Sequence, residues 1–501
     1  MASGGDSKAY PGPAVPLTRA VIWLAGVKFL AHVTTARHYP LHRDELYYIV
    51  CGRHPAWGYP DHPPLTPWLA RLSEQLFGLD PLGLRLWPAL AGAAVVLLTG
   101  WLAARWGGGR PAQVLAAAAV LLAPIYLVSG SLLQTVGLDQ LCWVGSAALL
   151  AGVQGGGPRW RLLLVGLLLG VGIWAKLTAL AWCFGLLAGV LTTRDRSLLR
   201  SRWSWAGVLA ATACAVPIVL WQVRHGWPVL EFMAGSRANE GVTPWAFLLL
   251  QIGMSGPVVG TALLVTGFVF LLRDEAGRPW RSLGVAILVV WLVFLFTGGK
   301  PYYAGPTYPL LMAGGAVLAE RLLARGRTRF KRIGITALVV LQLAAVPFFL
   351  PVIPPGRLGA VVDKLPNDDW VNMFGWQEVA AQLAAVHATL TAAEREGLQV
   401  LAPNYGIAGA VDVYGGDLGL PQAVSGHNGY ALWETSPDLD PLLAVGYDAT
   451  LAREYYAEVR ELGTVAGTPL GPGDEAGQPI LYCRGLKVPP GHLWALMRHY
   501  E

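Results

Sequence analysis

Apolar runs of roughly twenty residues, the length that crosses a bilayer as a helix, recur through residues 19–353 and leave the chain one class of fold. They lie near 19–36, 84–105, 111–130, 136–153, 160–175, 177–193, 204–222, 245–272, 282–297, 302–323 and 333–353. With 54% hydrophobic and only 14% charged residues, the chain reads as a polytopic α-helical membrane protein of about eleven spans. The stretch 160–193 is taken as two spans because Lys176 then falls at their junction rather than inside hydrocarbon. Residues 1–18 are expected to be a flexible cytoplasmic segment without a cleavable leader, before an uncleaved anchor.

The basic residues then sort by side. With the N-terminus inside, the cytoplasmic loops hold Arg105 and Arg110, Arg159 and Arg161, Arg194 to Arg202, Arg273 to Arg281, and a last cluster at 325–332. The outer face receives the first loop (37–83), Lys176, 223–244, 298–303 and everything from 354 onward. The net charge of +6 is therefore a topology signal and gives no reason to expect nucleic-acid binding. The five cysteines are scattered, without disulfide or metal spacing. Almost no buried acid or base is expected within the spans, where an ion-coupled transporter would place some, and no ATP motif is present.

Residues 37–69 are the polar exception beside the first span. Asp44-Glu45 is either a general base for deprotonating an acceptor hydroxyl or an acidic helix start. On a helix, Asp44 and Tyr48 share a face. For Asp61-His62-Pro63-Pro64 three readings stay open: a divalent-cation site with a third ligand such as His225, a phosphate contact, or a capped helix start. Residues 62–78 form an amphipathic pattern expected to lie on the membrane. Asp139 sits at the outer mouth of a span, as a functional acid or a cap. Lys176, Arg224, Arg237 and Lys300 are the outer cations that suit a phosphate leaving group. Lys300 is flanked by Tyr302 and Tyr303, and its alternative is a lysine snorkelling at a span end.

From 356 the composition becomes that of a soluble domain. A helix over 375–396 precedes strand-like LQVLAP, and QAVS, VRELGTVAG and PILYCRGL follow. The alternation predicts an α/β domain of about 145 residues, large enough to bury a core. The glycines of NYGIAGAVDVYGGDLGLP lack the spacing of a phosphate-cradling loop; the aromatic and amide side chains there bind sugar or pack the domain. The expected organisation is 1–18, a membrane domain 19–353, and an extracytoplasmic domain 354–501.

Several of these motifs occur together in one known group. Asp44-Glu45-Leu46-Tyr47-Tyr48, Tyr59-Pro60-Asp61-His62-Pro63-Pro64-Leu65, Leu138-Asp139-Gln140-Leu141 and Lys300-Pro301-Tyr302-Tyr303 resemble the bacterial family 39 glycosyltransferases. Those are relatives of the protein O-mannosyltransferases and the lipid A aminoarabinose transferase. The resemblance implies a GT-C fold and inverting transfer of a sugar from a polyprenyl-phosphate donor at the outer face of the bacterial inner membrane. The acceptor is a lipid, polysaccharide or protein. It further implies Asp44 as base, Glu45 positioning it or the acceptor, and Asp61, His62, Asp139, Lys176, Arg224, Lys300, Tyr302 and Tyr303 near the donor phosphate. His62 departs from the family, which has Lys there in the aminoarabinose transferase. Metal use varies among such enzymes, so a divalent cation stays open. The alternatives are a flippase of lipid-linked sugars and an oligosaccharyltransferase-type ligase.

Overall fold

The computed structural model describes residues 15–324, 342–359, 369–433, 438–467, 470 and 475–500. The N-terminal residues 1–14, the basic cluster 325–332 and the first part of the span expected at 333–353 lie outside them.

Helix α1 (Arg19–Thr35) is followed by two short helices of the first loop, α2 (Arg43–Arg53) and α3 (Leu65–Phe77). Then come α4 (Pro81–Arg105), α5 (Arg110–Leu122), α6 (Pro124–Ser129), α7 (Thr135–Gln154), α8 (Arg161–Ala175), α9 (Ala179–Thr192) and α10 (Arg202–Arg224). The series closes with α11 (Pro228–Glu240), α12 (Pro244–Ser255), α13 (Val259–Leu272), α14 (Arg281–Thr297) and α15 (Tyr308–Ala324). Among the described residues, α4, α7, α10 and the segment Arg278–Thr297 are long and apolar enough to cross a membrane unaided. Trp23, Leu209, Trp245 and Phe296 project outward from α1, α10, α12 and α14, each more than 70% exposed. Apolar side chains presented so openly suit lipid rather than water.

Two expected spans are interrupted. The run 245–272 is two helices bent by 114°. Between them Gly256 takes φ +100° and Pro257 removes a backbone donor, which together end α12. The run 111–130 breaks at Ala123-Pro124, where the proline again removes a backbone donor and holds Ala123 extended. The expectation that the spans bury almost no ionisable group also needs correcting. Lys28 and His32 lie one turn apart on α1 and are wholly buried. Lys28 Nζ donates to the Tyr126 carbonyl at 2.6 Å, and His32 Nε2 lies 3.1 Å from the Leu127 oxygen. The Tyr126 carbonyl also accepts from the Gly130 amide and the Leu127 carbonyl from Ser131 Oγ, so α1 adds a second contact at each oxygen.

Small residues set a close contact between α8 and α10. A Cβ built on Gly166 of α8 would stand 2.0 Å from the Gly207 carbonyl oxygen of α10, and one on Gly207 would stand 2.4 Å from the Leu162 oxygen. Backbones this near require glycine on both sides. Gly166→Val is expected to force α8 and α10 apart and cost about 1–3 kcal/mol, read as a lower melting temperature and yield of the detergent-purified protein.

The C-terminal residues build a five-stranded sheet in the order β2-β1-β3-β5-β4. The strands are β1 (Gln399–Leu401), β2 (Ala423–Val424), β3 (Leu442–Val445), β4 (Tyr456–Thr464) and β5 (Pro479–Leu486). Strand β1 runs parallel to β2 and β3, while β5 is antiparallel to both β3 and β4. Four of these strands match the expected runs. The central β3, LLAV, is buried on both faces, so it lacks the alternation that marks a half-exposed strand. Its side chains divide between two cores. Leu442 and Ala444 pack with Leu493 and Trp494 of the last helix, and Leu443 and Val445 face the helix Trp376–Thr389. That second core also takes in Leu46, Tyr47, Ile49 and Val50 of α2. The first loop and the tail thus share one hydrophobic core.

Candidate active site

Helix α2 begins with a reciprocal cap. His42 Nδ1 accepts from the Asp44 amide at 3.0 Å, and Glu45 Oε2 accepts from the His42 amide at 2.9 Å. This start turns Asp44 and Glu45 in opposite directions, with different fates. Glu45 is wholly buried and takes a forked bond from the equally buried Arg85 of α4, at 3.1 and 2.7 Å. It also accepts from the Leu133 amide at 3.0 Å. The remaining Arg85 donors reach the carbonyls of Ala36, Tyr39 and Pro40 at 2.6–2.9 Å. Glu45 therefore ties α2, the chain entering it and the turn before α7 to one arginine. Arg85 had gone unremarked; a lone charge inside the apolar run LGLRLWP was the signal for it.

Asp44 keeps 25% side-chain exposure. Its Oδ1 accepts from the Tyr405 hydroxyl at 2.9 Å and its Oδ2 from Gln134 Nε2 at 3.1 Å. Burial pushes its pKa up, but the neighbouring His42 imidazole, the Arg43 guanidinium and these two bonds outweigh that and hold it below the ordinary value. Asp61 has the opposite balance. Burial dominates and raises it, against the field of His62 and the bond it accepts from the Tyr47 hydroxyl at 3.0 Å. Two carboxylates whose surroundings drive them apart can divide proton-handling between them. Tyr48, one turn beyond Asp44, lies within the electrostatic reach of both.

The other expected residues divide into a group that converges and a group that does not. Asp139 of α7 accepts from Trp143 Nε1 at 2.7 Å and from Thr178 Oγ1 at 2.9 Å. Lys176, between α8 and α9, lies 3.3 Å from Thr135 Oγ1 and over the rings of Tyr302 and Tyr303 at 4.7 and 5.1 Å. It feels the charges of Asp139, Lys300 and Asp44 together. Five separate stretches of chain thereby meet beside Asp44. Arg237 of α11 joins their margin, with its Nε 3.6 Å from where a Gly298 Cβ would sit.

His62 and His225 lie apart from this group. The His62 ring is wedged among Tyr47, Tyr48 and Tyr59, with centroids 4.7–5.6 Å away, and its Nδ1 lies 3.0 Å from the Pro63 carbonyl oxygen. His225 stacks on Trp221 at 4.2 Å and meets that residue's carbonyl at 2.8 Å. The trio Asp61, His62 and His225 is met only in part: His62 Nε2 lies 3.8 Å from Asp61 Oδ1, and His225 does not join them. Among the described residues no three His, Cys, Asp or Glu side chains are grouped to hold a metal ion. Arg224, in the last turn of α10, is exposed to solvent.

The chain is similar to several known proteins. A family described as dolichyl-phosphate-mannose-protein mannosyltransferase matches residues 61–221. The chain is 29% identical over 321 residues to undecaprenyl phosphate-alpha-4-amino-4-deoxy-L-arabinose arabinosyl transferase 2 of Pseudomonas fluorescens, covering 58% of this chain and 54% of that protein. It is 28% identical over 322 residues to the corresponding transferase of Pseudomonas aeruginosa, with 58% and 56% covered. The chain spans about half the length of the curated relatives it matches. Among solved structures, ArnT from Cupriavidus metallidurans bound to undecaprenyl phosphate superposes with a TM-score of 0.63 at 17% identity, over 93% of this chain and 98% of that one. The mycobacterial arabinofuranosyltransferase AftD superposes with a TM-score of 0.52 at 16% identity, over 95% of this chain and 42% of that one. The fold is that of the ArnT structures from Cupriavidus metallidurans, and with its apolar helices it fits a polytopic membrane architecture.

Proposed function

We propose that this chain is an inverting glycosyltransferase that moves a sugar from a polyprenyl-phosphate carrier to an acceptor hydroxyl at the outer face of the inner membrane. The observation that carries this reading is the convergence on one carboxylate, held in its charged form, of cations and aromatic rings from far-apart stretches. Asp44 takes the proton of the acceptor hydroxyl. The acceptor oxygen then bonds to the anomeric carbon as the bond from that carbon to the phosphate oxygen breaks. The phosphate departs with the electron pair toward Lys176 and Lys300, and Tyr302 and Tyr303 hold the Lys176 ammonium in place. Glu45 positions Asp44 through Arg85, and Asp61 stays with Tyr47 at the border of the site.

The similarity to undecaprenyl-phosphate-dependent transferases supports an undecaprenyl-phosphate donor. The eleven-span topology, the outward orientation of the first loop, and the division into a membrane domain of 19–353 and an extracytoplasmic domain of 354–501 belong to the same proposal. The loop pattern of basic residues supports the orientation.

Membranes containing the protein are expected to transfer radiolabelled sugar from undecaprenyl-phosphate donors to endogenous acceptors. Lys176→Met is expected to weaken donor use by about 1.5–3 kcal/mol, roughly ten- to hundredfold, as a rise in the donor KM. An unchanged donor KM in that variant would take Lys176 off the phosphate, and no transfer by wild type with either an aminoarabinose or a mannose donor would overturn the proposal.

A further inference from the structure

The tail reaches both carboxylates of the first loop. Tyr405 donates directly to Asp44 at 2.9 Å. The Gly429 amide donates to the Tyr47 hydroxyl at 2.8 Å, and that hydroxyl donates to Asp61. Tyr405 is itself closely held. Asn404 caps its short helix by accepting from the Gly406 and Ile407 amides at 2.9 and 3.1 Å. Its ring stacks on Tyr47 at 4.7 Å, and the Arg43 guanidinium lies 4.9 Å from the ring centroid. A Cβ on Gly409 would come within 3.2 Å of Leu46 Cβ, so the tail helix is seated closely against α2.

We infer that Tyr405 of the C-terminal unit is a positioning residue for Asp44, so that the tail completes the active centre of the transferase proposed above. A carboxylate with both oxygens free rotates about its Cβ–Cγ bond. Here Tyr405 takes one oxygen and Gln134 the other, which leaves the remaining lone pairs aimed at the acceptor. The bond also favours the charged form that a base must have. The titratable and charged groups facing Asp44 are His42, Arg43 and Tyr48 from α2, Asp61 from the turn before α3, Lys176 from the α8–α9 junction, and Tyr405 itself. Burial raises the Tyr405 phenol well above its ordinary value, so it stays a donor across the working pH range.

Tyr405→Phe removes the donor and keeps the ring between Tyr47 and Arg43. The test uses the full chain in membranes, with undecaprenyl-phosphate aminoarabinose and undecaprenyl-phosphate mannose as donors, and records kcat and KM against pH. The variant is expected to lose about tenfold in kcat with donor KM within about twofold of wild type. The acid limb of its kcat profile is expected to move upward by roughly one pH unit, because losing a hydrogen bond to the charged form makes Asp44 easier to protonate. Asp44→Asn is the companion measurement. An inactive Asp44→Asn beside a Tyr405→Phe profile that overlays wild type overturns the positioning role and leaves the transferase standing. Full activity of Asp44→Asn, or a wild type inert toward both donors, overturns the reading on which the inference rests.

Discussion

Asp44→Asn is expected to reduce sugar transfer by about 10²–10⁴-fold, the range spanned by a positioned general base, while the protein stays folded in the membrane. The amide has nearly the shape of the carboxylate, and its oxygen can still accept from Tyr405. Gln134 can turn its own amide over to meet the new NH₂ group. The variant therefore loses the proton acceptor and the negative charge near Lys176 without losing a packed side chain. Transfer from a radiolabelled undecaprenyl-phosphate sugar, compared at equal protein level, is the measurement. Equal rates in the two proteins would remove Asp44 from the chemistry. A matching loss of protein would show instead that the residue's role is in folding.

Arg85→Met is expected to be the most destabilising single change among those considered, by about 3–5 kcal/mol. It strands Glu45, which has no exposed surface, as an unpaired buried charge, and it removes the donors from three carbonyls of the first loop. The Glu45→Gln/Arg85→Met double variant should recover part of the loss, since the uncompensated charge has gone. Thermal unfolding of purified protein reads both. A melting temperature for Arg85→Met equal to wild type would show that the pair is not what anchors α2. Transfer by the double variant then reports how much of the placement of Asp44 depends on this anchor.

The two acids of the pair Asp44-Glu45 differ in kind, and nothing in their adjacency says which does what. Both stand in the first turn of one helix. One is turned toward Arg85 and disappears into the protein, and the other faces Gln134, Tyr405 and the cations. Among the first-loop residues, His62 shows the same limit. Its sequence neighbours suggested a ligand, but its three tyrosine neighbours make it a packed ring.

By itself the sequence determined whatever depends on local composition and period. Apolar length marked the helical membrane class, and short strand-like runs between turn residues marked four strands of the tail sheet. The first-loop motif with its acids was visible as polar chain where apolar chain was the rule. Tertiary structure alone decided the burial of Lys28 and His32 against α6 and the partnership of Glu45 with Arg85. It also decided that Tyr405 meets Asp44 from 361 residues away. Hydropathy and periodicity are sums over neighbouring residues, whereas a hydrogen bond between distant side chains depends on how whole elements pack. The candidate site is made of such bonds, so its members were legible one by one and its geometry was not.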